Sequence, residues 1–503
     1  MTLLRRNILA NFAGSFWQAV MGLAFIPLYI KFMGVESYGL VGIFAALQGV
    51  LVVLDLGLSA TLNREMARLS VHPENAQEMR NLLRSLEAIY WCVAMAIGVA
   101  VMSLAPFIAH DWVKAGRLSP DVIVNATRIM GLAVALQWPA SLYTGGLMGL
   151  QRQVLLNAVN IAAGTLRYGG AALVLWLVSP SVQAFFSWQM IAGLATTCAL
   201  AVFLWRELPA GRRPVFQVQL IRRVWRFAVG ISAITILAAI LMQLDKIILS
   251  RMLTLEAFGY YTLAGVVGLS LYRLISPVFS AVYPRFTQLV AAGDEQALKS
   301  LYHRSSQFMS VLILPATLVV AMFARELLAL WTRSSSVAAQ SHLLVSILIC
   351  GTALNGLMTV PYALQLAHGW TRLALYTNAV AVVALVPMIV FMTRRYGAPG
   401  GASVWVILNA GYVFIAVHFM HRRLLTSEKW RWYWQDVGVP LAASTAVVGL
   451  ARLLVREPMS DFRTVLTVAL ISAAALSAAA LATPTTRGWL RSRRRIQWTA
   501  PPR

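Results

Sequence analysis

Residues Asn7 to Arg68 read NILANFAGSFWQAVMGLAFIPLYIKFMGVESYGLVGIFAALQGVLVVLDLGLSATLNREMAR, and this stretch decides the fold. Two apolar runs, Ile8 to Ile30 and Leu40 to Leu62, flank a polar bend, Gly34-Val35-Glu36-Ser37-Tyr38-Gly39. A helix that crosses a bilayer needs roughly 20 predominantly apolar residues, and each run supplies them. Neither run is uniformly apolar. Asn11, Ser15, Gln18 and Gly22 recur at helical spacing on the first, as Gln48 and Asp55 do on the second. Such a stripe must face protein or water, because an unpaired polar group left in hydrocarbon costs several kcal/mol.

The hairpin recurs about 220 residues downstream, after Arg222-Arg223. Leu255-Glu256-Ala257-Phe258-Gly259 repeats Val35-Glu36-Ser37-Tyr38-Gly39, and Arg285-Phe286-Thr287 stands where the first copy has Arg64-Glu65-Met66. Pro139, Arg152 and Asn157 return as Pro361, Arg372 and Asn378 at nearly the same offset. Several matches at one offset within different helices indicate a duplicated bundle.

Composition sets the class. Hydrophobic residues make up 59% of the 503 and charged residues 12%, half the roughly 25% usual for soluble proteins. The chain is an all-α polytopic membrane protein. Apolar windows mark fourteen spans, at about 7–31, 38–62, 86–109, 121–149, 154–178, 184–205, 227–250, 257–284, 305–331, 341–368, 372–393, 400–420, 437–455 and 463–483. With the N-terminus inside, the inner segments hold 27 Lys and Arg against 10 outside, which places both termini in the cytoplasm. The same rule accounts for most of the net charge of +24. No basic face with interleaved aromatics suggests nucleic acid. The first run exceeds the 7–15 residues of a signal h-region and leads into a second span, so it reads as retained.

These segments divide as 1–210 and 211–425, two pseudo-symmetric six-helix lobes, then 426–486, two extra C-terminal helices, and a basic cytoplasmic tail at 487–503. Residues Arg64 to Leu86 read as an amphipathic surface helix, and Trp430-Arg431-Trp432-Tyr433-Trp434 as an interfacial anchor. The longest outer loop, His110 to Pro120, is too short for a soluble domain.

Four cations fall inside spans, where a charge costs about 2.5–3.5 kcal/mol and calls for a partner or a wet cavity: Arg128, Arg167, Lys246 and Arg273. Arg273 shares a helix face with Gly265, Ser276 and Ser280, and its planar fork suits a phosphate. A structural ion pair is the alternative. Asp55 and Asp245 are the intramembrane acids, placed to bind a coupling proton or sodium ion or else to pair with a neighbouring cation or helix end. Asn11 and Gln18 serve either a cavity wall or helix packing. No P-loop, H-E-x-x-H or G-x-S-x-G motif occurs, and the histidines and the three cysteines lack ligand spacing, so neither enzyme chemistry, metal nor cofactor is expected.

Asn11-Phe12-Ala13-Gly14, Pro27-Leu28-Tyr29, the Gly34–Gly39 bend and Leu54-Asp55-Leu56-Gly57-Leu58 carry a family resemblance. So do Asp245-Lys246-Ile247-Ile248-Leu249, Gly259-Tyr260-Tyr261, Tyr396-Gly397 and Gly400-Gly401-Ala402. Over nearly its whole length the chain resembles the polysaccharide (lipid-linked oligosaccharide) flippases of the superfamily that also holds the multidrug and toxin extrusion antiporters. The resemblance implies two six-helix lobes around a central cavity, often with two extra helices. It also implies translocation of an undecaprenyl-diphosphate-linked oligosaccharide, such as an O-antigen or exopolysaccharide unit, across the bacterial inner membrane by alternating access.

Its partners would be that lipid, the membrane, and polysaccharide polymerase and chain-length proteins. Arg273 matches the cavity arginine that lipid flippases of the superfamily carry on helix 8. The first helix holds only Lys31 at its end and departs from the lipid II flippase pattern. Two other readings stay open: a cation-coupled multidrug antiporter of the same fold, and a polytopic polysaccharide polymerase or ligase.

Overall fold

The computed structural model describes residues 3–370, 372–455 and 461–484. The expected tail at 487–503 lies outside them. Among the described residues the regular structure is helical throughout. Water is absent from a bilayer core, so a spanning segment must satisfy its backbone internally, and the apolar runs fold as helices. Among the described residues, ten helices are long and apolar enough to cross a membrane. Ten is fewer than the expected fourteen partly because a bend can join two rods: the stretch Arg372–Arg423 turns at Gly397, whose φ is 63°.

The chain divides into two compact units after Gly259. The first holds α1 (Leu3–Ala24), α2 (Ile26–Leu51), α3 (Leu58–Leu69), α4 (Ala76–Phe107) and α5 (Pro120–Gln137). It continues through α6 (Ala140–Gly149), α7 (Gln153–Gly164), α8 (Gly170–Leu177), α9 (Val182–Glu207), α10 (Val218–Met252) and the start of α11 (Leu255–Ser270). The sequence assigned α10 to the second lobe; in the fold it groups with the first unit because it packs on α2, α3 and α4.

The repeated bends meet within this unit. A Cβ added at Gly39 would collide with the Leu255 carbonyl oxygen, and one at Gly259 would collide with that of Val35. Each glycine of the repeat thus lets the other copy's backbone approach. The second span, expected as one helix over 38–62, is interrupted. A 3-10 turn, Val52–Asp55, is followed by Leu56 and Gly57 with φ of 47° and 75°, and α3 starts afresh. Glycine accepts this left-handed geometry freely, whereas leucine does so under constraint from its surroundings.

The amphipathic surface helix expected over 64–86 is not one element. α3 ends at Leu69, a turn through Pro73–Asn75 intervenes, and the polar residues from Ala76 onward are the first turns of the long α4.

The second unit contains the rest of α11, α12 (Tyr272–Ala292), α13 (Glu295–Met322), α14 (Ala324–Thr332), α15 (Ser335–Ala367) and α16 (Arg372–Gly411). It closes with α17 (Val417–Arg423), α18 (Lys429–Arg431), α19 (Val439–Leu454) and α20 (Asp461–Ala482). α19 and α20, the expected extra pair, pack on α13. The aromatic anchor splits in two. Trp430 and Trp434 are exposed, but Trp432 between them is fully buried and donates its indole N–H to Ser306 Oγ at 3.2 Å.

Polar groups thread this unit. Tyr272 donates to Asn355 Oδ1 at 2.9 Å, Asn355 to Asn409 Oδ1 at 2.7 Å, and Asn409 to the Trp405 carbonyl at 2.8 Å. Elsewhere His303 sits buried between two carboxylates, with Nδ1 2.5 Å from Asp436 Oδ2 and Nε2 2.9 Å from Glu428 Oε2. Gln307 donates to the other Asp436 oxygen at 2.8 Å.

Candidate substrate cavity

The break in the second span opens a cavity of about 340 Å³ inside the first unit. Its wall includes Gln48, Asp55, Ser59, Gln137, Trp138 and Arg167. Asp55 ends the 3-10 turn, and the left-handed pair after it swings the start of α3 back over the carboxylate. Ser59 Oγ donates to Asp55 Oδ2 at 2.8 Å, the Tyr90 hydroxyl donates to Oδ1, and the Ser59 backbone N–H approaches at 3.4 Å. A carboxylate so placed also meets the unpaired N–H groups and positive dipole end of α3.

Arg167 is presented differently. It lies in a π-helical bulge, Thr165–Gly169, between α7 and α8. Such a bulge takes carbonyls out of the regular ladder, and here side chains collect them. Trp188 donates to the Leu166 carbonyl at 2.9 Å and Tyr29 to that of Tyr168 at 2.6 Å. The guanidinium reaches Gln137 Oε1 at 2.9 Å through Nη2, and Gln48 Nε2 reaches the same oxygen at 3.0 Å. Gln137 is held in turn by the Gln189 carbonyl, also at 3.0 Å. An arginine has five N–H donors, so most of this one's capacity is left for the cavity. Asp55 and Arg167 share the wall but form no ion pair. Trp138 supplies an aromatic wall, stacked on Tyr90 with ring centroids 4.6 Å apart and its indole N–H on the Leu51 carbonyl at 3.2 Å.

Of the residues singled out from sequence, Asp55 and Arg167 come together here. Asn11 and Gln18 do not; they tie α1 to α7. Asn11 donates to Gln153 Oε1 at 2.8 Å and accepts from Asn157 at 2.6 Å, while Gln18 donates to the Asn160 carbonyl. Arg128 is exposed on α5, nine residues and so about half a turn around from Gln137. Lys246 lies on α10 against the Met242 carbonyl at 2.7 Å and its neighbour Asp245 at 3.2 Å. Arg273 and Ser276 share an exposed face of α12 in the second unit.

Gln137, Ser59, Tyr90, Ser141 and Trp138 escaped the sequence reading. Gln137, a lone amide just before Trp138-Pro139, left a trace that could have been followed; Tyr90 looks like any aromatic in an apolar run.

The family model described as "Polysaccharide biosynthesis protein" matches residues 4–290, more than half of the chain. The chain belongs to the polysaccharide biosynthesis protein family. A second family model, MatE, matches residues 235–391. A Shigella flexneri protein whose name assigns it to O-antigen transport is 19% identical over 408 residues, covering 80% of this chain and 95% of its own.

Among solved structures, a lipid II flippase, MurJ, in an inward closed conformation has a TM-score of 0.72 at 12% identity, over 94% of this chain and 98% of its own. An inward-facing multidrug resistance MATE family transporter has a TM-score of 0.67 at 14% identity, over 82% and 96%. At those identities the two structures speak for the fold alone. This member of the polysaccharide biosynthesis protein family is thus a multi-pass membrane protein with the all-helical fold of those two solved structures.

Proposed function

We propose that the protein carries an undecaprenyl-diphosphate-linked oligosaccharide from the cytoplasmic to the outer leaflet of a bacterial inner membrane, by alternating access. The observation that carries this reading is the hollow of the first unit. Between apolar side chains it presents the amides of Gln48 and Gln137 and the hydroxyls of Ser59, Ser141 and Thr196, and it bears Asp55 and Arg167 as separate charges, inside a protein otherwise built for lipid. Sugars and phosphates cannot cross hydrocarbon, and such a surface replaces the water they lose. Arg273, with Ser276 on the same face of α12, takes the diphosphate by paired charge-assisted hydrogen bonds. Asp55, or Asp245 on α10, senses the proton or sodium gradient that drives the cycle.

The test is reconstitution of the full chain in vesicles with a fluorescent lipid-linked oligosaccharide, followed between leaflets. Arg273→Ala lowers the rate at least about tenfold, the equivalent of one lost charged hydrogen bond, with normal protein level. An unchanged rate removes Arg273 from the site. The Asp55 carboxylate also supports a second reading, a cation-coupled multidrug antiporter. Gradient-driven efflux of a cationic dye, without movement of the oligosaccharide lipid, selects that one.

A further inference from the structure

The flippase reading leaves open which part of the cargo enters the first unit's cavity. At about 340 Å³ the cavity sits at the low end of the roughly 300–1,000 Å³ that small-molecule pockets span, room for a hexose-sized group and not for a polyprenyl chain. Its charges narrow the choice. Arg167 spends one N–H group on Gln137, and its planar fork matches a carboxylate or a phosphate equally well. Asp55 decides between them.

That carboxylate faces the same space. Ser141 has one hydroxyl proton and points it at the Trp138 carbonyl at 3.0 Å; its 3.5 Å approach to Asp55 Oδ1 is therefore too weak to occupy that oxygen. Asp55 thus keeps an acceptor site open. A diphosphate carries at least two negative charges, offers no donor, and would press them against Asp55. A sugar acid carries one carboxylate and several hydroxyl donors. Gln48 adds a carbonyl oxygen with no partner among the described residues, and Trp138 adds a ring for the apolar face of a pyranose.

We propose that this cavity receives an acidic sugar residue of the oligosaccharide, its carboxylate on Arg167 and its hydroxyls on Asp55 and Gln48. The inference rests on the flippase reading.

Calorimetric titration of the full chain in nanodiscs with methyl glucuronide, methyl glucoside and inorganic pyrophosphate tests it. The glucuronide binds at least about tenfold more tightly than the glucoside, and pyrophosphate does not displace it. Arg167→Gln reduces that preference to threefold or less. Arg167→Lys, which keeps the charge without the fork, falls between and serves if the glutamine variant does not fold. Equal binding of the two glycosides, displacement by pyrophosphate, or absence of glucuronide binding overturns the proposal.

Vesicle assays with acidic and neutral oligosaccharide lipids separate this outcome from the parent reading. If wild-type protein moves both equally well, only the acidic-sugar inference falls. If it moves neither, the flippase reading falls and takes the inference with it.

Discussion

The interiors of the two units handle polarity in opposite ways. In the first, Asp55 and Arg167 stand on a cavity wall as separate charges, each held by neutral partners. In the second, the chain from Tyr272 through Asn355 and Asn409 is neutral and ends on a backbone carbonyl, while the ionisable cluster at His303 closes on itself through Asp436 and Glu428. A closed network stabilises a packed bundle. An open one costs stability and is retained where something must bind. The contrast teaches that charge removed from the buried His303 cluster should harm the fold, and charge removed from the first unit's cavity should harm transport.

The largest effect belongs to His303→Ala. It leaves Asp436, which has no exposed surface, and Glu428 without the imidazole that joins them, and stripping buried carboxyl groups of a partner costs about 3 kcal/mol or more. Unfolding in detergent measures the loss, and early proteolysis around 424–428 reports release of the C-terminal helices. A loss below about 1 kcal/mol would place the cluster among functional devices and blur the contrast.

Next comes Asp55→Asn. Transport loses its dependence on the proton or sodium gradient, while stability falls by no more than about 1–2 kcal/mol, the worth of a helix cap. A gradient response identical to wild type assigns Asp55 to structure and moves the coupling role to Asp245.

Asn409→Ala sharpens the other side. Asn409 is fully buried, and its loss strips Asn355 of an acceptor, at about 1–3 kcal/mol. The rate of transport below the unfolding temperature stays as in wild type.

The smallest effect is a response to acid. Burial pushes the Glu428 carboxyl up, but the hydrogen bond and charge of His303, with Arg431 beside it, outweigh this and hold it below its ordinary 4.5. A carboxyl depressed on folding contributes stability above its unfolded value, and the contribution is lost as pH falls through the folded one. Unfolding midpoints followed downward from about pH 5 should drop less steeply in Glu428→Gln than in wild type.

Much of this was legible in the chain. Runs of about 20 apolar residues announce helices because lipid permits little else, and charges inside them stand out because they are costly there. Asp55 and Arg167 were found on that ground. Which neighbour a polar stripe meets is a different question, since spacing specifies a face and not what covers it. Asn11 and Gln18 accordingly turned up in the α1–α7 seam. The bulge that presents Arg167 has no marker in composition, because the side chains that take up its carbonyls, Trp188 and Tyr29, come from other helices. The His303 cluster joins residues more than a hundred positions apart, each unremarkable alone.

The reciprocal fit of Gly39 and Gly259 has one more consequence. Because each bend presses a carbonyl onto the other's bare α-carbon, neither loop can be altered at its glycine without disturbing the other. A methyl gained at either position pushes the opposite loop away, and a second methyl at the other adds a clash without relieving the first, so both positions are held to glycine.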